Sequence, residues 1–167
     1  MVITKTEKRL CPCCMEIHDV QTILVSENNI FKGVSVEYNA EYFHCDLADE
    51  IYAGEEQISK NDISMKNAYR KKVGLLTTDQ ILGIRSKYRI NQHDLCLLLG
   101  WDDDTIARYE SHQVQDDARD TILRKLDADP KWFLKLLDSA KEFLPPSSYS
   151  KYLESGIALL EQNYDHY

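Results

Sequence analysis

Long apolar segments are missing from the sequence. Its longest apolar runs, such as Leu97 to Leu99, are far shorter than the roughly 20 residues that a membrane-spanning helix needs. The mean hydropathy of −0.46 agrees with this, so we expect no membrane contact. The N-terminal stretch MVITKTEKRLCPCC contains basic residues but lacks the apolar segment of a signal peptide. These features predict a cytoplasmic protein.

Basic residues are scarce relative to acidic ones. Lys and Arg number 20 against 28 Asp and Glu, which gives a formal net charge of −8 over 167 residues. A protein that coats nucleic acid without sequence preference would carry a basic excess. The charge balance therefore excludes that class, and it would suit a basic protein partner.

The sequence signatures of catalysis are also absent. We find no Gly-rich phosphate loop, no Gly-x-Ser-x-Gly and no His-Glu-x-x-His. The carboxylates are numerous, but they fall on predicted polar faces, where a solvated surface is the ordinary outcome. The sequence therefore favours a binding module over an enzyme.

An even number of cysteines, as a disulfide framework would need, is likewise missing. Five Cys without a secretory signal indicate reduced thiols or metal ligands. Cys96 lies in the apolar segment DLCLLL, which predicts an ordinary core thiol. The other four cysteines belong to CPCC near the N-terminus and to YFHC.

Three of these four cysteines and a nearby histidine have the spacing of a metal site. Cys11-x-x-Cys14 is followed by His18, and Cys45 comes about thirty residues later, after strand-like sequence. A C-x2-C knuckle that faces ligands on a second hairpin builds a zinc ribbon, in which the metal replaces a core that so small a sheet cannot assemble. The predicted ligands of a structural zinc ion are Cys11, Cys14, His18 and Cys45. His44 is the alternative fourth ligand, although its position beside Cys45 would strain a tetrahedron.

Other interpretations of this segment stay open. Cys13 is not expected to be a ligand, because neighbouring knuckle positions chelate poorly. The knuckle could instead be degenerate, with reduced thiols and no metal. A redox Cys-Pro-Cys-Cys motif is the third interpretation, but that chemistry needs the motif at the start of a helix, and MEIHDVQTILV is strand-like.

Two segments rich in Val, Ile, Tyr and Phe, DVQTILV and GVSVEYNAEYFHC, predict strands within residues 1–53. SENNIFKG between them has the composition of a hairpin connection, and GEEQISKN that of a linker. A helix is expected to begin at Asn61 or Asp62 and to end at Gly74. Helical periodicity continues through the rest of the chain. The expected caps and breaks there are Thr77 or Thr78, Asn91, Gly100, Asp129 with Pro130, and Pro145-Pro146.

Two short helices joined by a Gly-containing turn occupy QHDLCLLLGWDDDTIARYES, which is the pattern of a helix-turn-helix. Ile106 and Tyr109 would face the core, and the opposite face could enter a DNA major groove. There Arg108 could pair with guanine O6 and N7, and the helix start at Gln92 could hold a phosphate. The predicted DNA-binding residues are Gln92, Asp104, Thr105, Arg108 and His112, with Arg70, Lys71 and Lys72 as flanking cations.

Three consecutive aspartates, Asp102 to Asp104, oppose this assignment. Carboxylates at the start of a helix stabilise the free helix, but they repel phosphate. The alternative is a helical bundle of the same shape that binds no DNA.

Residues 68–126 resemble MqsA-type antitoxins, and the elements GLLT, LLGW, TIARYE and QDDARD stand at the spacing of that family. With the cysteine module, the resemblance covers roughly residues 9–138. It implies an N-terminal zinc-binding module followed by a helix-turn-helix of the XRE/Cro type, which binds operator DNA as a dimer in an autorepressing antitoxin. Some clostridial-type relatives add a Panacea domain, for which this chain is too short.

The sequence departs from the family pattern at three places. Asp104 replaces an Asn, Lys or other polar donor, and Glu110-Ser111-His112 replaces a Glu-Asn-Gly or Glu-Lys-Gly. Ala48 stands where the family often has the last cysteine of a second C-x2-C. These departures weaken the expected DNA contact and leave the four-cysteine site incomplete.

The predicted fold class is therefore α+β, a small N-terminal antiparallel zinc-ribbon-like sheet followed by an all-α helix-turn-helix bundle. We expect a transcriptional regulator that binds double-stranded operator DNA and neutralises a toxin protein. The alternative function is a protein-interaction module whose DNA binding has decayed. The predicted domains are a zinc-ribbon-like module (1–58), a linker helix (59–76), a helix-turn-helix bundle (77–144) and a C-terminal helix (145–167).

Apolar residues near the C-terminus, among them Trp132, Phe133, Leu153 and Ile157, exceed what a small bundle would use. Monomers seldom expose such a patch, so we expect a homodimer formed through the C-terminal third. The alternative is that the last helix folds back onto its own bundle.

Overall fold

The computed structural model describes residues 1–165, which divide into two compact units, Met1–Gly74 and the chain from Leu75 onward. The fold is α+β, as predicted. A four-stranded antiparallel sheet is followed, within residues 1–165, by seven α-helices. Residues 166 and 167, the end of the predicted domain 145–167, lie outside the described residues. No helix in the described part of the chain is long and apolar enough to cross a membrane.

The first unit consists of the sheet and one long helix. Its elements are β1 (Val2–Leu10), β2 (Ile17–Phe31), β3 (Val34–Cys45), β4 (Glu50–Tyr52) and α1 (Glu55–Val73), and the strands lie in the order β1-β2-β3-β4. Ile23, Val36 and Ala40 are at most 2% exposed and form the apolar centre of the sheet.

The β2–β3 hairpin is longer than the sequence predicted. SENNIFKG was expected to form the connection, but Asn28 and Asn29 pair with Glu37 and Val36 inside the ladder. Only Lys32 and Gly33 form the turn, both with positive φ, 48° and 77°. A two-residue turn of this kind matches the twist of the strands, so the strands can continue up to it.

Helix α1 begins at Glu55, six residues before the predicted start at Asn61. The side chain of Gln57 accepts a hydrogen bond from the backbone N–H of Gly54 at 3.1 Å and closes the first turn. Glu55 and Glu56 stabilise the positive end of the helix dipole. GEEQISKN is therefore mostly helical, and the predicted linker helix (59–76) belongs almost entirely to the first unit.

Asn61 of α1 protects the free edge of β3. Its Oδ1 accepts from the backbone N–H of Glu41 at 2.7 Å, and its Nδ2 donates to the carbonyl of Glu41 at 2.9 Å. The amide side chain thus replaces a neighbouring strand at this position. An edge that has its hydrogen bonds satisfied in this way is a poor template for aggregation.

The second unit is helical. Its elements are α2 (Thr78–Tyr88), α3 (Gln92–Leu99), α4 (Thr105–Tyr109), α5 (Asp117–Ala128), α6 (Pro130–Ser139), a 3-10 turn (Lys141–Phe143) and α7 (Pro146–Tyr164). The predicted caps are confirmed at Thr77, Asn91 and Asp129, whose side chains accept from backbone N–H groups, and at Gly100, with φ 69°.

The core of this unit surrounds a stacked pair, Tyr88 and Phe133, whose ring centroids lie 3.9 Å apart. Cys96 is fully buried in the same core, which confirms it as a core thiol. Helix α7 folds back onto α6, where Tyr152 is fully buried and Gly156 lies against Leu134 and Phe133. Within one chain, the structure thus agrees with the alternative in which the last helix covers its own bundle.

Candidate metal centre and helix-turn surface

Cys11, Cys14, His18 and Cys45 come together at one end of the sheet. Their ligand atoms all lie within 4.8 Å of one another, so the cluster could hold a metal ion. Cys11 and Cys45 are fully buried. The four side chains come from the segment that joins β1 to β2, the start of β2 and the end of β3, which the antiparallel pairing brings side by side. This is the set that the sequence spacing predicted.

The first knuckle is shaped by the backbone around Cys11. The N–H of Cys11 donates to the carbonyl of Glu16 at 2.9 Å, and the N–H of Met15 donates to the carbonyl of Cys11 at 2.8 Å. Met15 has a left-handed φ of 62°, which reverses the chain directly after Cys14. The turn places both thiols of the C-x2-C motif toward β3.

The spacing of His18 and Cys45 fits a tetrahedral ion. Ligands at about 2.05 Å for nitrogen and about 2.3 Å for sulfur give a tetrahedral N···S edge of roughly 3.6 Å. The distance between His18 Nε2 and Cys45 Sγ is 3.6 Å. The other ring nitrogen, Nδ1, lies 3.0 Å from the carbonyl oxygen of Asp19. A hydrogen bond there would leave Nε2 as the metal-binding atom.

Hydrogen bonds to the sulfur of Cys11 favour its thiolate. Burial disfavours an ionised Cys11, but the backbone N–H groups of Cys14 and Cys13 and the ring of His18 lower the pKa of Cys11 to about 6. The backbone N–H of Ala48 donates to Cys45 Sγ at 3.4 Å. Ala48, which cannot be a ligand itself, thus still supports the second half of the site through its backbone.

The alternative ligand, His44, points elsewhere. Its Nδ1 lies 3.2 Å from Gln21 Oε1 and its Nε2 lies 3.2 Å from Asp49 Oδ1. Cys13 is not among the four clustered residues. Burial raises the pKa of Cys13 to about 11, so its thiol stays protonated near neutral pH.

In the second unit, α3 and α4 are joined through Gly100 and Asp102 to Asp104, as the sequence predicted. Ile106 and Tyr109 face the core, with 0% and 4% exposure. Thr105, however, is only 3% exposed and is not presented outward as expected. The reason is helical spacing. Thr105 lies four residues before the buried Tyr109, so the two side chains share the inward face of α4.

Arg108 lies at the surface of α4 with about a third of its side chain exposed. Its Nη1 pairs with Asp104 Oδ1 at 2.5 Å, and its Nε donates to Gln113 Oε1 at 2.7 Å. The carboxylate of Asp104 therefore neutralises the charge of the Arg108 guanidinium at the surface of α4. His112 is exposed and Gln92, the first residue of α3, is half-buried. We call Gln92, Asp104, Arg108 and His112 the α3–α4 surface.

The flanking cations differ from one another. Lys71 and Lys72 are exposed, and Lys72 Nζ donates to the carbonyl of Ser35 at 2.5 Å. Arg70 is fully buried, which contradicts its predicted role as a surface cation. It lies at the inner side of α1, where its Nη1 donates to Asn67 Oδ1 at 3.0 Å, and burial lowers its pKa.

Sequence reasoning missed two buried polar contacts that hold α2 and α5 in place. Arg85 pairs with Glu110, and Asp120 accepts from the backbone N–H of Leu76 and from Gln115. The partners lie up to 44 residues apart, so no local pattern marks them.

Comparisons with known proteins give no relative. No family model matches the chain, and no curated protein and no solved structure matches it.

Proposed function

We propose that the protein is a DNA-binding transcriptional regulator of the antitoxin type, in which α3 and α4 form a helix-turn-helix. The observation that carries the proposal is the position of Arg108. Its neighbours Ile106 and Tyr109 are buried, while its own side chain reaches the surface of α4. The resemblance of residues 68–126 to MqsA-type antitoxins supports the same function.

The test is a titration of DNA from the region upstream of the gene, at stated salt, with a competitor DNA as reference. If Arg108 contacts a base, Arg108→Ala lowers specific affinity by about 1–3 kcal/mol and affinity for competitor DNA much less. Lys131→Ala is the charge-matched control, because Lys131 is an exposed cation on α6. Equal specific affinity for the wild type and Arg108→Ala would end the assignment.

We further propose that the cysteine–histidine cluster binds a structural zinc ion. Three sulfur donors and one imidazole nitrogen, all within 4.8 Å of one another, are the donor set that zinc prefers. The ion would join the β1–β2 connection to the end of β3. Protein purified without chelator should contain about one zinc per chain by elemental analysis, and Cys45→Ser should lose it. A wild-type content near zero contradicts the proposal.

A second candidate function is binding of a basic protein partner without DNA binding. The exposed carboxylates of Asp102 to Asp104 and the ion pair between Asp104 and Arg108 favour it, because they leave the α3–α4 surface acidic. A small basic protein encoded beside the gene should then co-purify, and upstream DNA should show no retardation. Such a partner together with specific DNA binding would match an antitoxin.

We expect the regulator to act as a homodimer, because two copies that read neighbouring half-sites gain the affinity that one weak site lacks. Phe143 and Ile157 remain exposed on the second unit, by 72% and 41%, although α7 covers its own bundle. Sedimentation equilibrium at micromolar concentration should give a dimer mass. A monomer mass would show that α7, packed on its own bundle, covers the apolar surface of the C-terminal third without a second copy.

A further inference from the structure

Tyr52, the last residue of β4, packs against the candidate metal centre from outside the ligand set. Its ring contacts the small buried cluster of Cys11, Val20 and Cys45. Tyr52 pairs with Phe43 across the sheet, and their ring centroids lie 5.3 Å apart. The guanidinium of Arg9 lies 4.0 Å from the centroid of the Phe43 ring. The contact with Phe43 holds the Tyr52 ring beside the cysteines.

The hydroxyl of Tyr52 is buried, and within residues 1–165 it has no hydrogen-bond partner. A buried hydroxyl without a partner is unfavourable, and native structures rarely keep one unless a further group satisfies it. A phenol carries its proton at neutral pH, so the hydroxyl is a donor toward a thiolate.

We propose that Tyr52 is a positioning residue of the metal centre, whose hydroxyl donates a hydrogen bond to the Cys11 sulfur when that sulfur binds the metal. The inference rests on the metal binding proposed above. Three thiolates and a neutral imidazole give a divalent ion a net charge of −1, and hydrogen bonds to the sulfur atoms spread this charge. Phenylalanine would fill the same space, so the hydroxyl has a role that packing does not explain.

The experiment uses the full chain loaded with Co²⁺ as a spectroscopic probe. Tyr52→Phe keeps the ring and removes the donor, so the sulfur-to-cobalt charge-transfer band should move to lower energy. The Co²⁺ affinity measured against a competing chelator should fall by roughly tenfold. Tyr42→Phe is the matched control, because the hydroxyl of Tyr42 donates to Glu27, at 2.5 Å, rather than to a cysteine. The control should leave both readouts unchanged.

A second measurement needs no variant. In protein loaded with ¹¹³Cd²⁺, the Tyr52 hydroxyl proton should give a slowly exchanging NMR signal with a scalar coupling to the cadmium nucleus. An unchanged band and affinity in Tyr52→Phe, or a loaded wild type without this coupling, would overturn the role of Tyr52. A wild type that shows no tetrahedral cobalt spectrum would overturn the metal centre as well, so the two failures are distinguishable.

Discussion

Arg85 of α2 and Glu110, the residue that follows α4, form a two-pronged ion pair. Arg85 Nε donates to Glu110 Oε2 and Nη2 donates to Oε1, both at 2.7 Å, while Nη1 donates to the carbonyl of Ile90 at 3.2 Å. The two side chains are only 16% and 9% exposed. The pair fixes the end of α4, and with it Arg108, relative to α2.

Arg85→Ala should lower the free energy of unfolding of the helical unit by about 2–4 kcal/mol, because it leaves the Glu110 carboxylate poorly solvated and unpaired. Urea denaturation followed by circular dichroism measures this. Lys87→Ala is the control on the same helix. Lys87 and its partner Asp127 are 32% and 51% exposed, and exposed pairs contribute about 0–1 kcal/mol. Similar losses for both variants would contradict a special role for the Arg85 pair.

Asp104→Asn should tighten binding to upstream DNA. The change releases the Arg108 guanidinium from its 2.5 Å ion pair and removes one charge that repels phosphate. The side chain of Asp104 makes no capping hydrogen bond to α4, so the fold should tolerate the substitution. We expect a gain of roughly two- to tenfold, or about 0.4–1.4 kcal/mol, in fluorescence anisotropy at fixed salt.

Asp103→Asn separates the ion pair from simple net charge in that experiment. Asp103 is 82% exposed and lies 3.7 Å from His93 rather than beside Arg108. The Asp103→Asn variant should therefore gain less DNA affinity than the Asp104→Asn variant. Equal gains would assign the whole effect to net charge, and no gain at Asp104 would show that Arg108 does not approach the DNA.

The stability of the helical unit should fall at acid pH through Asp120. Burial opposes ionisation of this carboxyl, but Arg124 at 2.7 Å, the N–H of Leu76 and Gln115 lower its pKa in the folded state. Because the folded pKa lies below the unfolded value of about 3.9, the contribution is complete above that pH and is lost as the pH falls through the folded pKa.

Asp120→Asn should therefore cost about 1–3 kcal/mol at pH 7, where the charged contacts are intact. The difference from the wild type should shrink when urea denaturation is repeated at successively lower pH, because the wild-type carboxyl also becomes neutral as the pH falls through its folded pKa. Asp127→Asn, an exposed acid on the same helix, should show neither effect. A difference that does not change with pH would assign the contribution of Asp120 to shape rather than charge.

The sequence predicted well those features that depend on residues close together in the chain. The caps at Asn91 and Asp129 and the C-x2-C motif with His18 depend on residues within a few positions of one another. Arg70 was assigned to the surface because a helical pattern shows which residues share a face, but not which face the helix turns inward. Thr105 lies between the outward Arg108 and the inward Tyr109 around the circumference of α4, so the pattern did not decide its side. The contacts of Arg85 and Asp120 join distant segments, so only the tertiary structure reveals them.

Removal of the proposed zinc ion should loosen one end of the sheet and leave the helical unit unchanged. The cysteine cluster has few apolar neighbours, whereas Ile23, Val36 and Ala40 form a separate centre of the sheet. After chelation, hydrogen exchange should accelerate over residues 9–20 and 43–52 and stay slow over residues 78–99. Restored zinc should reverse the change. Uniform acceleration over both units, or none, would contradict a local structural role of the ion.

Two glycines inside helices test whether α7 is fixed on α6. A Cβ at Gly156 of α7 would lie 2.6 Å from Leu134 Cδ2 and 3.1 Å from Phe133 Cδ1, whereas a Cβ at Gly83 of α2 would meet nothing within 4 Å. Alanine favours a helix over glycine by about 0.5–1 kcal/mol. Gly83→Ala should therefore stabilise the helical unit by about that amount, which thermal unfolding would show as a higher Tm.

Gly156→Ala gains the same helix propensity but must displace Leu134 and Phe133 in a packed core. Overpacking costs about 1–3 kcal/mol, so the net effect should be a lower Tm, and the stacked Tyr88–Phe133 pair should show it in near-UV circular dichroism. If Gly156→Ala instead stabilises the protein as Gly83→Ala does, α7 is not held against α6 in solution. Its apolar face would then be free to form the dimer contact that the sequence of the C-terminal third first indicated.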